Sequence, residues 1–145
     1  MSLKVIDGAR TLDGTNNGVD IPPANYANGN TMNSTGIDMK DFFELIGMVQ
    51  AGVVIGTAQV DVYVQESNDD STYTNITGAQ VTVANTESNT GQVFSVNWKH
   101  PDRKRYARVS GVVSVANGAI YGVSTLRVQA HGGDMSVDSS ADETK

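Results

Sequence analysis

The feature that most constrains this chain is a side-chain period of two that recurs along most of its length. Ala58, Val60, Val62 and Val64 alternate with Gln59, Asp61, Tyr63 and Gln65. Successive strand residues point to opposite faces, so this segment is expected to be a half-buried strand. Phe94, Val96 and Trp98 alternate with Val93, Ser95 and Asn97 in the same way. So do residues 106–115 and 120–128, with Ala107, Val109, Val113, Ile120, Leu126 and Val128 among the apolar positions. Near residues 42–49 both phases are largely apolar, which predicts a strand buried on both faces. Residues 80–83 and 3–6 are expected to form shorter strands. No stretch of ten or more residues carries a clean helical period.

Turn chemistry separates these runs. Ser67-Asn68-Asp69-Asp70-Ser71 follows one strand, and Gly78, Gly91 and Pro101 mark other breaks. Asn117-Gly118 lies between the last two long strands and predicts a two-residue hairpin. Six or more short strands at this spacing predict an all-β, antiparallel β-sandwich or barrel.

Three regions follow from composition. Residues 1–37 are rich in Gly, Asn and Thr, contain Pro22 and Pro23, and show no apolar period. They read as an extended N-terminal arm, either a floppy leader or a segment that orders on a partner, the second favoured slightly because Val19, Ile21, Tyr26 and Met32 offer anchors. Residues 38–131 form the sandwich domain, and residues 132–145 an acidic, flexible tail. A chain of 145 residues suits one domain with a real core.

Charge and residue types narrow the function classes. A net charge of -6 argues against sequence-independent nucleic-acid binding, which needs a cationic surface. There is no cysteine, so disulfides, thiolate metal sites and cysteine nucleophiles are excluded. No segment approaches the roughly 20 apolar residues of a membrane span, and the first ten residues carry no long apolar run of a secretory signal. His100 and His131 stand in no metal-ligand spacing, and no nucleophile elbow or phosphate loop is found. Glu66, Asn68, Asp69 and Asp70 supply oxygen ligands for a loose calcium site, but their spacing is not that of a calcium loop and a solvated acidic turn is the plainer reading. The expectation is a protein without catalysis, cofactor or resident metal.

One cluster stands out. Lys99, Arg103, Lys104, Arg105 and Arg108 supply five of the ten cationic residues, interleaved with Trp98, His100, Pro101 and Tyr106. Either this is a solvated basic turn at one end of a sheet, or it is a docking patch. Arg, Trp and Tyr are enriched at interface hot spots, which favours docking.

Three stretches carry a resemblance. Tyr63-Val64-Gln65-Glu66-Ser67-Asn68-Asp69-Asp70-Ser71, then Tyr73-Thr74-Asn75-Ile76-Thr77-Gly78-Ala79, then Arg103-Lys104-Arg105-Tyr106-Ala107-Arg108-Val109, follow an order similar to that in small phage virion proteins. Over roughly residues 41–129 the chain resembles head decoration, or cement, proteins of tailed phages. The resemblance implies a jelly-roll-like β-sandwich, assembled in the host cytoplasm and bound as a dimer or trimer to the outside of the phage head. It implies the major capsid protein and other copies of the chain as partners, with no nucleic acid and no membrane. The contact residues expected on this reading are Val19, Ile21, Tyr26, Trp98, Arg103, Arg105 and Arg108. Another virion structural part, of tail or head completion, and a carbohydrate-binding β-sandwich are the alternatives.

Overall fold

The computed structural model describes residues 4–6, 20–115 and 117–130. They form ten strands: β1 (Lys4–Ile6), β2 (Ile21–Ala27), β3 (Thr31–Asn33), β4 (Ile37–Asp38), β5 (Glu44–Val54), β6 (Gln59–Ser67), β7 (Thr74–Ala84), β8 (Gly91–Asn97), β9 (Tyr106–Ser114) and β10 (Gly118–Ala130). A single 3-10 turn, Asn85–Glu87, is the one helical element among the described residues, and no helix there is long and apolar enough to cross a membrane.

The strands make two antiparallel sheets. In the first, β10 pairs with β5 on one side and with both β1 and β2 on the other, and β8 pairs with the far side of β5. In the second, β9 pairs with β3 and β4 on one side and with β6 on the other, and β7 closes the row. From β5 onward the chain runs through the first sheet, twice through the second, and then alternates between the two. This is a jelly-roll-like sandwich.

Valine explains much of this choice. β-Branched side chains suit a pleated surface and are stiff there at little cost. Val60, Val62 and Val64 on β6 and Val109 and Val113 on β9 fill the space between the sheets, facing Leu45, Val49, Tyr121 and Val123 of β5 and β10. Each such burial is worth roughly 1.5–3 kcal/mol.

The expected arm divides. Val19 lies outside the described residues. From residue 20 onward the region belongs to both sheets, through β2, β3 and β4, so the sandwich begins well before residue 38. Ile21, Tyr26 and Ile37 are core residues, and Tyr26 packs its ring 4.9 Å from that of Tyr121. Pro22 and Pro23 hid this strand. Proline is tolerated where one side of a strand has no partner, and β2 pairs on one side alone. The expected tail, 132–145, lies outside the described residues.

Asn117-Gly118 does not make a hairpin, because β9 and β10 lie in different sheets. Asn117 does take a left-handed conformation, φ 64°, and its carbonyl accepts the Asn28 N–H at 2.7 Å. A Cβ on Gly118 would stand 2.9 Å from the Tyr26 carbonyl oxygen. The dipeptide marks a tight turn, but the turn crosses between layers. The true hairpin joins β6 to β7. There Asp69 Oδ1 accepts the Ser67 hydroxyl at 2.7 Å and the N–H groups of Thr72 and Ser71 at 2.9 and 3.0 Å.

Tyr121 reaches across the core to Gly111 on β9, and its buried hydroxyl has no hydrogen-bond partner. A Cβ on Gly111 would meet that hydroxyl at 2.5 Å. Gly111→Ala is therefore expected to cost about 1–3 kcal/mol by overpacking. Tyr121→Phe alone is expected to be neutral or stabilising, since it removes an unsatisfied polar group. In urea denaturation the double variant should recover part of the Gly111→Ala loss, and strict additivity would show that the two do not clash.

Candidate interaction surface

The basic segment between β8 and β9 builds one end of the sandwich. The Arg103 N–H closes a turn onto the His100 carbonyl at 3.0 Å. Trp98 is buried, donates its backbone N–H to Phe43 O at 2.6 Å, and donates its indole N–H to Lys104 O at 2.7 Å. The indole thereby ties the outgoing chain to the returning one.

The cations around it are engaged within the chain. Arg103 pairs with Glu66 at 3.3 Å, their side chains only 19% and 12% exposed. Glu66 also accepts the Lys104 N–H at 3.2 Å. The Lys104 ammonium donates to Thr74 Oγ1 at 3.0 Å. Arg105 makes a two-pronged contact to Asp38, with Nε and Nη2 at 3.1 and 2.6 Å from its oxygens. Arg108 donates to Gln65 at 2.6 Å and stacks 4.2 Å from the Tyr73 ring. Lys99 remains exposed, 5.6 Å from the Phe43 ring, at the mouth of an open groove of about 290 Å³ with Glu44 and Asn97. His100 lies 3.5 Å from Asp102, and His131 is outside the described residues.

The expected contact residues thus separate. Ile21, Tyr26 and Trp98 are buried within the chain and are not on its surface, because each fills the core next to a strand end. Arg103 is held by Glu66. Arg105 and Arg108 are accessible, but a partner using them competes with Asp38, Gln65 and Tyr73. The acidic turn proposed for calcium is likewise engaged. Asp69 caps the turn, Asp70 accepts the Tyr73 hydroxyl, and Glu66 holds Arg103.

The Arg105 hydrogen bond, with the Lys40 N–H and the Arg127 charge, holds Asp38 well below the usual carboxylate range, at about 2. A depressed folded value means that the stabilisation is present above the unfolded pKa, near 4, and is lost as pH falls through about 2. The pair is exposed, so solvent screens it and its worth is at most about 1 kcal/mol. Thermal melts from pH 5 to pH 2 should therefore fall less steeply for Asp38→Asn than for the parent. Identical slopes would show that the pair contributes nothing.

Large apolar groups are also left uncovered. On the outer face of the first sheet Met48 opposes Val93 across β5 and β8, and Ile46 opposes Leu126 across β5 and β10. Met48 is 38% exposed and Val93 69%. The strand read as buried on both faces is thus buried on one, and its second apolar phase faces outward. Ile120 lies on the same face against Gly52, with Val53, Ile55 and Val115 exposed at that end of the molecule. Val115 is 67% exposed and holds φ at 81°, a rare conformation for a β-branched residue. The apolar second phase of residues 42–49 was the sequence signal for this surface, and it looked like double burial.

No family model matches the sequence, and no curated protein matches it. Among solved structures, the crystal structure of the PBSX exported protein XepA superposes with a TM-score of 0.58 at 16% identity, covering 93% of this chain and 39% of XepA. The chain therefore spans well under half of that protein. A Bacillus endospore appendage that forms disulfide-linked pili gives 0.48 at 13% identity over 89% of this chain and 90% of the other. The C-terminal CBM6 of LamC, a laminarinase from Zobellia galactanivorans, gives 0.42 at 15% identity over 89% and 99%. The XepA likeness is one of fold, and the other two are looser.

Proposed function

We propose that this chain is a non-catalytic structural protein of a tailed-phage virion, a head decoration protein that grips neighbouring major capsid subunits from outside. The observation that carries the reading is the division of its surface chemistry. Apart from Lys99, the cations at the β8–β9 end are held by partners within the chain, while large apolar side chains stand exposed on the outer face of the first sheet and at the opposite end. Such a surface gains free energy by burial against another protein. The fold likeness to an exported PBSX protein is compatible with a structural role outside the cell that makes it. Binding in many copies multiplies a small gain per site across a lattice.

Co-sedimentation of the purified protein with undecorated mature capsids tests the proposal. Saturation at a fixed copy number per capsomer is expected. No association at physiological salt overturns it, and labelling along the tail assigns the chain to another virion part.

A second reading, a carbohydrate-binding module, draws on the outer face of the second sheet. There Asp61 accepts hydrogen bonds from Gln59, Gln80, Thr82 and Ser114, beside the half-buried Tyr63. Amides, hydroxyls and an aromatic ring suit a neutral sugar. Specific binding on a glycan array, lost in Tyr63→Ala, would favour this reading over the first.

A further inference from the structure

A sandwich of two open sheets has four lateral edges, and natural proteins blunt such edges with proline, charge, bulges or shortness. Three of the four are blunted here. The edge beyond β10 consists of the three-residue β1 and of β2, which carries Pro22, Pro23 and a register break opposite Tyr121–Val123. The edge beyond β9 consists of β3 and β4, three and two residues long. The β7 edge is interrupted by a register break near Tyr63–Gln65 and by Gly78 at φ 81°.

The fourth edge, β8, has none of these devices. Its seven residues, Gly91-Gln92-Val93-Phe94-Ser95-Val96-Asn97, contain no charge and no proline. Its register with β5 runs unbroken from Glu44↔Asn97 to Gln50↔Gly91. Trp98 N–H bonds to Phe43 O, and Thr90 O accepts from Ala51 N–H, so the even-numbered residues face β5. The N–H and C=O groups of Gly91, Val93, Ser95 and Asn97 therefore line the free edge, and among the described residues no strand pairs with them. Val93, at the middle of this row, is the most exposed of the large apolar residues described. A segment of this length, neutral and rich in β-formers, has the composition of a strand that pairs with its own copy.

We propose that β8 is a self-association edge, at which a second copy of this chain adds its own β8 antiparallel across a two-fold axis. A ladder centred on Phe94 sets Val93 against the partner's Ser95 and Gly91 against the partner's Asn97. All four free-edge residues of each copy then have their backbone groups satisfied. The two first sheets join into one continuous sheet, with the exposed Val93 and Met48 of both copies on one face. Charge permits this occupant at this edge. The chain carries a net charge of -6, which repels copies elsewhere, whereas β8 is a neutral strip. Lys99, two residues beyond the strand, falls opposite the partner's Asn89 instead of the partner's Lys99. The inference concerns the purified protein alone and stands apart from the capsid reading.

Sedimentation velocity of the full chain over a wide concentration range tests it. A monomer–dimer equilibrium is expected. Val93→Pro deletes a free-edge N–H and leaves the ladder to β5 intact, so it should weaken the dimer at least about tenfold, the loss of roughly 1.4 kcal/mol. Its far-ultraviolet circular dichroism should be unchanged. Val93→Lys, which places a charge on the edge without touching the backbone, should weaken the dimer in the same direction and decides the matter if the proline variant fails to fold. A dimer of unchanged affinity in a folded Val93→Pro or in Val93→Lys overturns the proposal. So does a wild type that stays monomeric to its solubility limit, which leaves the edge to a strand of another protein. A monomer that loses stability on Val93→Lys overturns it in favour of a segment of the same chain.

Discussion

Replacing Trp98 by alanine is expected to cost about 3–5 kcal/mol, a large part of the stability of a domain this size. The indole is 6% exposed and belongs to the core, and it also carries the hydrogen bond to Lys104 O that pins the returning chain. Truncation therefore opens a cavity and leaves a carbonyl without its donor. Trp98→Phe separates the two effects. It keeps an aromatic ring and loses the N–H, so a smaller loss of about 1–2 kcal/mol is expected. Trp98 is the sole tryptophan, so circular dichroism in urea is the suitable measurement. A loss below about 1 kcal/mol for the alanine variant would show that the indole does not fill the core.

The second large effect is expected at Glu66. Its carboxylate sits between the Arg103 guanidinium and the Lys104 N–H in a place only 12% exposed. Removing one partner of a buried ion pair leaves the other uncompensated, which costs about 3 kcal/mol or more. Glu66→Ala should lose that amount, and Glu66→Gln less, because an amide oxygen still accepts from Lys104. Pairing Glu66→Met with Arg103→Met should restore much of the stability, since neither charge is then stranded. A double variant as unstable as Glu66→Ala would refute this account of the end of the sandwich.

Much of the architecture was legible in the sequence, for a physical reason. Alternation reports which residues share a face, and Val60, Val62 and Val64 face the core as their phase demands. Alternation is silent about which strand lies beside which, and the Asn117-Gly118 turn signal put β9 and β10 in one hairpin while the structure separates them into two sheets. Strands interrupted by proline or irregular register lose their period, which is why Ile21 and Tyr26 looked like anchors on a loose arm. The basic cluster was visible as composition. Its partners were not, because Asp38 and Glu66 lie 67 and 37 residues from Arg105 and Arg103, the cations they hold. Nor does a period of two tell an apolar phase that is buried from one that faces outward, as Met48 and Val93 do.

β10 has a temporal consequence. It occupies the middle of its sheet and bonds to β1, β2 and β5, yet it is the last of these to leave the ribosome. Until residues 118–130 emerge, β1 and β2 have no neighbour and β5 is open along one flank. The nascent chain must then hold several apolar strands uncovered at once and close its longest loops last. Closure of the first sheet should accordingly wait for β10 and take on the order of milliseconds to seconds, with a window in which early strands are open to chaperones or to mispairing.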